Sequence, residues 1–272
     1  MGSLLIIAAL GLAGLIILVV ALRLHAFVAL LIVSMAVGLA AGLGGAQVLK
    51  AVETGMGSTL GFIAVVVGLG AMFGQLLEES GGAQRLAATL VDSFGPERAP
   101  WALMLTGFMV AIPVFFDVGF IILAPLVYGL ARRSGRPVVA FGMPLLAGLA
   151  VAHAFVPPTP GPVAVAQVLN ADLGRVILYG IAAGLPAAII AGPLWSGWLE
   201  KHITKGAPEH DKPVDDQEPA ELPSFALVFG LVAIPLVLIV ANTVSGALIP
   251  DTTVATVFAF LGHPFTALIL AT

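Results

Sequence analysis

The chain has 272 residues, 60% of them hydrophobic and only 10% charged, and its mean hydropathy is +1.11. No water-soluble interior hides that much apolar surface, so the composition specifies a membrane protein. The absence of cysteine excludes a disulfide framework or thiolate metal site, and a small, scattered net charge of −4 gives no footing for a nucleic-acid partner.

A helix needs about 20 apolar residues to cross about 30 Å of hydrocarbon. In chain order, hydropathy predicts spans at Ser3–Leu22, Leu24–Leu43 and Ser58–Leu77, then a polar, amphipathic connector from Glu78 to Pro100. The first span reads as a retained helix, because no Lys or Arg precedes it and a second span follows directly. Gly68, Gly70 and Gly74 in the third span are the small residues expected at a helix interface.

The next two apolar segments are too long for simple crossings. Trp101–Ala131 has 31 residues and Val138–Leu169 has 32, or about 46 to 48 Å as helix. Each is interrupted at its middle. The first carries Ile112-Pro113-Val114-Phe115-Phe116-Asp117-Val118-Gly119, and the second carries Val156-Pro157-Pro158-Thr159-Pro160-Gly161-Pro162. Four prolines in six residues cannot continue a helix, and proline leaves carbonyls unpaired, which is tolerated at membrane depth only against protein or a water-filled cavity.

Charge asymmetry threads these segments. If Trp101–Ala131 is a re-entrant hairpin, Arg23, Arg85, Arg98, Arg132, Arg133, Arg136, Lys201, Lys205 and Lys212 share one face, leaving Lys50 and Arg175 opposite. A full crossing there would split the cations far more evenly. Val138–Leu169 is then a crossing with an unwound centre, followed by a span at Val176–Leu199. The polar stretch 200–223 reads as a cytoplasmic linker.

Five crossings and a hairpin form a first repeat over residues 1–199, and the odd number inverts any second copy. Residues 224–272 read as the start of that copy. Phe225–Val244 resembles the first span, and His263-Pro264-Phe265-Thr266-Ala267-Leu268 echoes His25-Ala26-Phe27-Val28-Ala29-Leu30. Because the sequence ends inside the next helix, truncation is expected. The fold class is thus an all-α polytopic membrane protein, an inverted-repeat transporter with a re-entrant helical hairpin and a broken transmembrane helix.

Asp117 is the one acidic residue placed at membrane depth, where a carboxylate costs about 2.5 to 3.5 kcal/mol on insertion scales. It reads either as a proton- or substrate-handling group or as the N-cap of a half-helix starting near Val118 and Gly119. A second half-helix starts near Gly161. Helix N-termini present free N–H groups to an anion, and glycine lets it approach closely. Phe116, Asp117, Val118, Gly119, Thr159 and Gly161 are therefore the candidate substrate-binding residues, with Thr159 as the hydroxyl. Asp117 and His153 are the candidates for proton coupling, although a lone histidine also serves as a structural donor. The histidine spacing matches no metal motif, so no metal site is expected.

The two interrupted strings, with Phe120-Ile121-Ile122-Leu123-Ala124-Pro125-Leu126-Val127-Tyr128 after the first and His153-Ala154-Phe155 before the second, closely resemble the gluconate permease family. The resemblance runs through the whole chain and implies the N-terminal part of a member. It implies proton-coupled uptake of gluconate or a related small hydroxy acid, with protons the coupling ion and no cofactor. It also implies a homodimer with elevator motion, in the bacterial inner membrane. Relatives often carry Glu at the position of Asp117 and His at that of Thr159. Rival readings are a non-transporting truncated scaffold, a family transporter for another organic anion or D-serine, and an intramembrane hydrolase. The last lacks a Gly-x-Ser-x-Gly string.

Overall fold

A computed structural model describes residues 2–202 and 222–272. All of its regular structure is helical, and it packs as two compact units, Met1–Phe62 and Ile63–Thr272.

The first unit holds α1 (Gly2–Ile16), which continues through a π-helical turn at Ile17–Ala21, then α2 (Ala26–Ala40) and the beginning of α3 (Gly45–Glu79). Here α2 is shorter than the predicted Leu24–Leu43 span. Arg23 has φ of 55° and His25 is extended, so the helix cannot begin before Ala26, and Gly42 at φ 92° follows its end. The His25 Nδ1 caps α2 by accepting the Phe27 N–H at 3.3 Å. The opposite correction applies to α3, a 35-residue helix beginning well before the predicted Ser58. Its polar first turns stay helical with an exposed Lys50–Glu53 pair one turn apart.

The second unit continues with α4 (Gly82–Phe94), α5 (Ala99–Val110), α6 (Phe116–Ser134), α7 (Val139–Phe155), α8 (Pro160–Val168) and α9 (Leu173–Ile189). A π-helical turn at Ile190–Leu194 leads into α10 (Trp195–Glu200). Further along the chain come α11 (Phe225–Leu248), α12 (Thr253–Leu261) and α13 (Pro264–Ala271). The amphipathic connector folds as α4, whose Ala83, Leu86, Ala87 and Val91 are buried.

The core is organised around α7. A Cβ at Gly107 of α5 would meet the Leu145 carbonyl oxygen, and one at Gly148 of α7 would collide with that of Met104. Backbone therefore packs on backbone. Met104 lies level with Pro144 and Gly192, and Phe108 with Val151 and Gly184, so α5 runs parallel to α7. Gly119 faces Leu149 while Gly142 faces Val127, so α6 returns antiparallel. The chain thus climbs α5, turns at residues 111–115 and descends α6. At 12 residues, α5 is about 18 Å long, well short of the bilayer core.

One end of this unit collects the start of α5, the end of α6, the start of α7 and the end of α10, and with them Arg98, Arg132, Arg133, Arg136 and Lys201. Arg175 sits at the other end, in the first turn of α9. The Arg136 guanidinium donates Nε to Glu200 Oε1 and Nη2 to Oε2, both at 2.7 Å, which raises its pKa, and it also stacks 5.0 Å from the Phe141 ring.

Among the described residues, five helical stretches are long and apolar enough to cross a membrane: Gly2–Ala21, Gly45–Glu79, Val139–Val168, Leu173–Glu200 and Phe225–Leu248. The third comprises α7 and α8, so its proline break does not turn the chain back. The α12–α13 pair qualifies together but bends by 65°. The expected linker at residues 200–223 lies mostly outside the described residues. Beyond it, α11 packs on α9 and α4 within the second unit. Asp172 helps lock α9 to α11, accepting both the Arg175 N–H at 2.9 Å and the Thr243 hydroxyl at 2.6 Å.

Candidate functional site

The two interruptions meet. The turn after α5 and the proline break after α7 enclose a small cavity of about 20 Å³, lined among others by Gly70, Pro113, Phe115, His153 and Thr159. Phe115 is the N-cap residue of α6 and Thr159 that of α8, and neither side chain caps its helix. Two helix N-termini thus open toward one spot, each with a partial positive charge and unsatisfied donors.

The local sequence sets how many donors each end offers. At α6 the amides of Phe116, Asp117 and Val118 precede the first intrahelical bond, from Gly119 N–H to the Phe115 carbonyl. At α8 the corresponding positions are Pro160, Gly161 and Pro162, so Gly161 alone supplies an N–H. Proline fixes the start of α8 while stripping it of donors.

Asp117 is not the N-cap expected from the sequence. The helix begins at Phe116, two residues earlier than predicted, which puts the exposed carboxylate within the first turn of α6. It lies within Coulombic range of His153. Phe116 and Val118 are half-buried against the core. Gly119 is buried, and a Cβ there would sit 2.9 Å from Leu149 Cδ2, so close packing against α7 accounts for this glycine.

On the other side, Thr159 is 5% exposed and donates its hydroxyl to the Val156 carbonyl at 2.6 Å, leaving the oxygen free to accept. Gly161 is exposed, with open space where its Cβ would be, and lines a groove of about 720 Å³ between α8 and α9 with Phe155 and Tyr179. His153 borders both the small cavity and this groove, its ring centroid 6.0 Å from that of Phe115.

Of the glycines in α3, Gly74 is the one seated at an interface. A Cβ there would come 2.7 Å from the Pro113 carbonyl oxygen, whereas Gly68 and Gly70 face open space. Phe115, Tyr179 and the close contact of Gly180 with the Phe155 carbonyl were not singled out by sequence reasoning. Phe115 and Phe155, each beside a break, were the available signal.

Comparison with known proteins places the chain in a family. Residues 3–272 match the family described as GntP family permease. The chain belongs to this family of permeases, which are transporters rather than enzymes. It is 41% identical over 261 residues to the gluconate permease of Pseudomonas aeruginosa, covering 95% of this chain and 58% of that protein. It is 41% identical over 270 residues to the Gnt-II system L-idonate transporter of Escherichia coli K12, covering 98% and 61%. The high-affinity gluconate transporter of the same strain is 38% identical over 268 residues, covering 98% and 61%. The chain therefore spans about three-fifths of the length of these relatives. No solved structure matches it.

Proposed function

We propose that this chain forms part of a secondary transporter that takes up gluconate or a related small hydroxy acid with protons. The observation that carries the reading is the convergence of the α6 and α8 N-termini on the cavity bordered by His153 and Thr159. A sugar-acid carboxylate is the kind of ligand that such ends attract, with the Thr159 oxygen and nearby backbone available to its hydroxyls.

The position of Asp117 supplies a coupling logic. A negative charge on this carboxylate, in the first turn at the positive end of α6, would repel a second carboxylate. Protonation removes that repulsion, so proton and anion each favour binding of the other, as reciprocal linkage requires. His153, between the cavity and the groove, is the second group in this reading. On this account α5 and α6 form a re-entrant hairpin, the cationic end faces the cytoplasm of a bacterial inner membrane, and residues 1–199 and 224–272 belong to inverted repeats. A homodimer with elevator motion completes it.

The test is uptake of labelled gluconate, with L-idonate in parallel, by proteoliposomes carrying the longest reading frame that contains this chain. Uptake should rise with an inward proton gradient, and Asp117→Asn should abolish the gradient-driven part. Uptake indifferent to the gradient refutes the coupling, and failure with every hydroxy acid refutes the substrate class.

A further inference from the structure

We infer that the cationic end of the second unit is a binding surface for anionic phospholipid headgroups, assembled from the ends of α6 and α10. The first observation is how charge is distributed there. Arg136 and Glu200 satisfy each other through the paired 2.7 Å hydrogen bonds, which tie the two helix ends together and consume that carboxylate. Arg132, Arg133 and Lys201 stand beside this clamp, all exposed, and among the described residues none of them has an ion-pair partner. Their free donors suit phosphate oxygens, with the planar guanidinium able to grip two at once.

The second observation is independent and sets the depth. Trp195 and Trp198 are about half exposed and stack with ring centroids 5.0 Å apart, and the His202 ring continues the stack 4.3 Å from Trp198. His202 Nδ1 is held 2.8 Å from the Trp198 carbonyl oxygen. Amphipathic rings in this position, at the end of a long apolar stretch, belong at headgroup level. Exposed Ile190 and Leu194 one turn earlier present apolar surface where acyl chains would lie. Cations flanking an interfacial aromatic stack favour a lipid that bears net negative charge over a zwitterionic one.

The experiment is native mass spectrometry of the full chain released from nanodiscs containing equal amounts of phosphatidylglycerol and phosphatidylcholine. The wild type should retain phosphatidylglycerol preferentially. The R132Q/R133Q/K201Q variant should retain it roughly tenfold less. Arg175→Gln, at the opposite end, should behave as wild type and so controls for non-specific charge effects. Equal retention of the two lipids, undiminished retention by the triple variant, or displacement of the lipid by millimolar inorganic phosphate would each overturn the assignment. The substituted side chains are exposed and make no ion pair among the described residues, so folding is preserved, and an unchanged thermal midpoint verifies this.

Discussion

His25 and His263 cap their helices in the same way. Each ring accepts through Nδ1 the backbone N–H two residues on, from Phe27 and Phe265, at 3.3 Å in both cases, and the backbones agree within a few degrees (φ −58°, ψ 131° and φ −64°, ψ 134°). The likeness of the two His-x-Phe strings is therefore one of local structure as well as sequence. On the proposed inverted-repeat reading, α2 and α13 would be corresponding elements.

Removing either cap should cost what a lost N-cap usually costs, about 1 kcal/mol. His263→Ala is expected to lower the thermal midpoint of the purified protein in detergent, with His263→Asn restoring most of the loss because Asn also accepts from the backbone. Equal destabilisation by both substitutions would show that packing of the ring on Phe265, 4.8 Å away, outweighs the hydrogen bond.

The contact of α5 with α7 makes a sharper demand. A methyl group at Gly148 runs into the Met104 carbonyl oxygen and the Phe108 amide, both backbone atoms that no rotamer change can move. Gly148→Ala should destabilise the protein by roughly 1 to 3 kcal/mol through forced separation of the helices. Gly68→Ala, in open space, should leave stability unchanged. Thermal unfolding of the two variants side by side distinguishes them.

The breaks in the fold were legible from the density and setting of their prolines rather than from proline alone, since Pro125, Pro144, Pro186, Pro193 and Pro235 lie inside helices. Pro113 and the run from Pro157 to Pro162 interrupt their helices where the sequence placed them. Boundaries were less legible. Nothing local told Phe116 and Asp117 to join the helix rather than cap it, since that depends on where α6 meets α7. Glycine roles were least legible of all. Gly107 and Gly148 read as ordinary residues of apolar helices, and only the opposing backbone reveals why no side chain fits. The candidate site was readable as two strings, and bringing them together depended on the directions of α5, α6 and α7.

The Arg136–Glu200 pair should matter through geometry more than charge. Both side chains keep some solvent contact, 30% and 25% exposed, so the pair is worth about 1 kcal/mol rather than the larger value of a buried bridge. Arg136→Lys retains the charge but loses the fork and the planar stacking on Phe141, so it should forfeit most of that stability. A double-mutant cycle with Glu200→Gln measures the coupling directly. A coupling energy indistinguishable from zero would mean that the helix ends are held by packing alone.

Gly119 and Gly161 were equivalent in the sequence, each the glycine at the start of a half-helix, yet the same substitution should have opposite consequences at the two. At Gly119 the added methyl meets Leu149 at 2.9 Å inside the core, so Gly119→Ala should lower stability while leaving the substrate KM of the folded fraction unchanged. At Gly161 nothing lies within 4 Å, so the chain should fold normally. On the proposed function its methyl would instead crowd the single amide N–H that α8 can offer an anion, raising the KM for gluconate by about tenfold, equivalent to about 1.4 kcal/mol. Uptake kinetics and thermal midpoints of the two variants, measured together, separate a glycine needed for packing from one needed for ligand approach. An unchanged KM in Gly161→Ala would remove the α8 N-terminus from the binding site and leave α6 as the remaining candidate for the carboxylate.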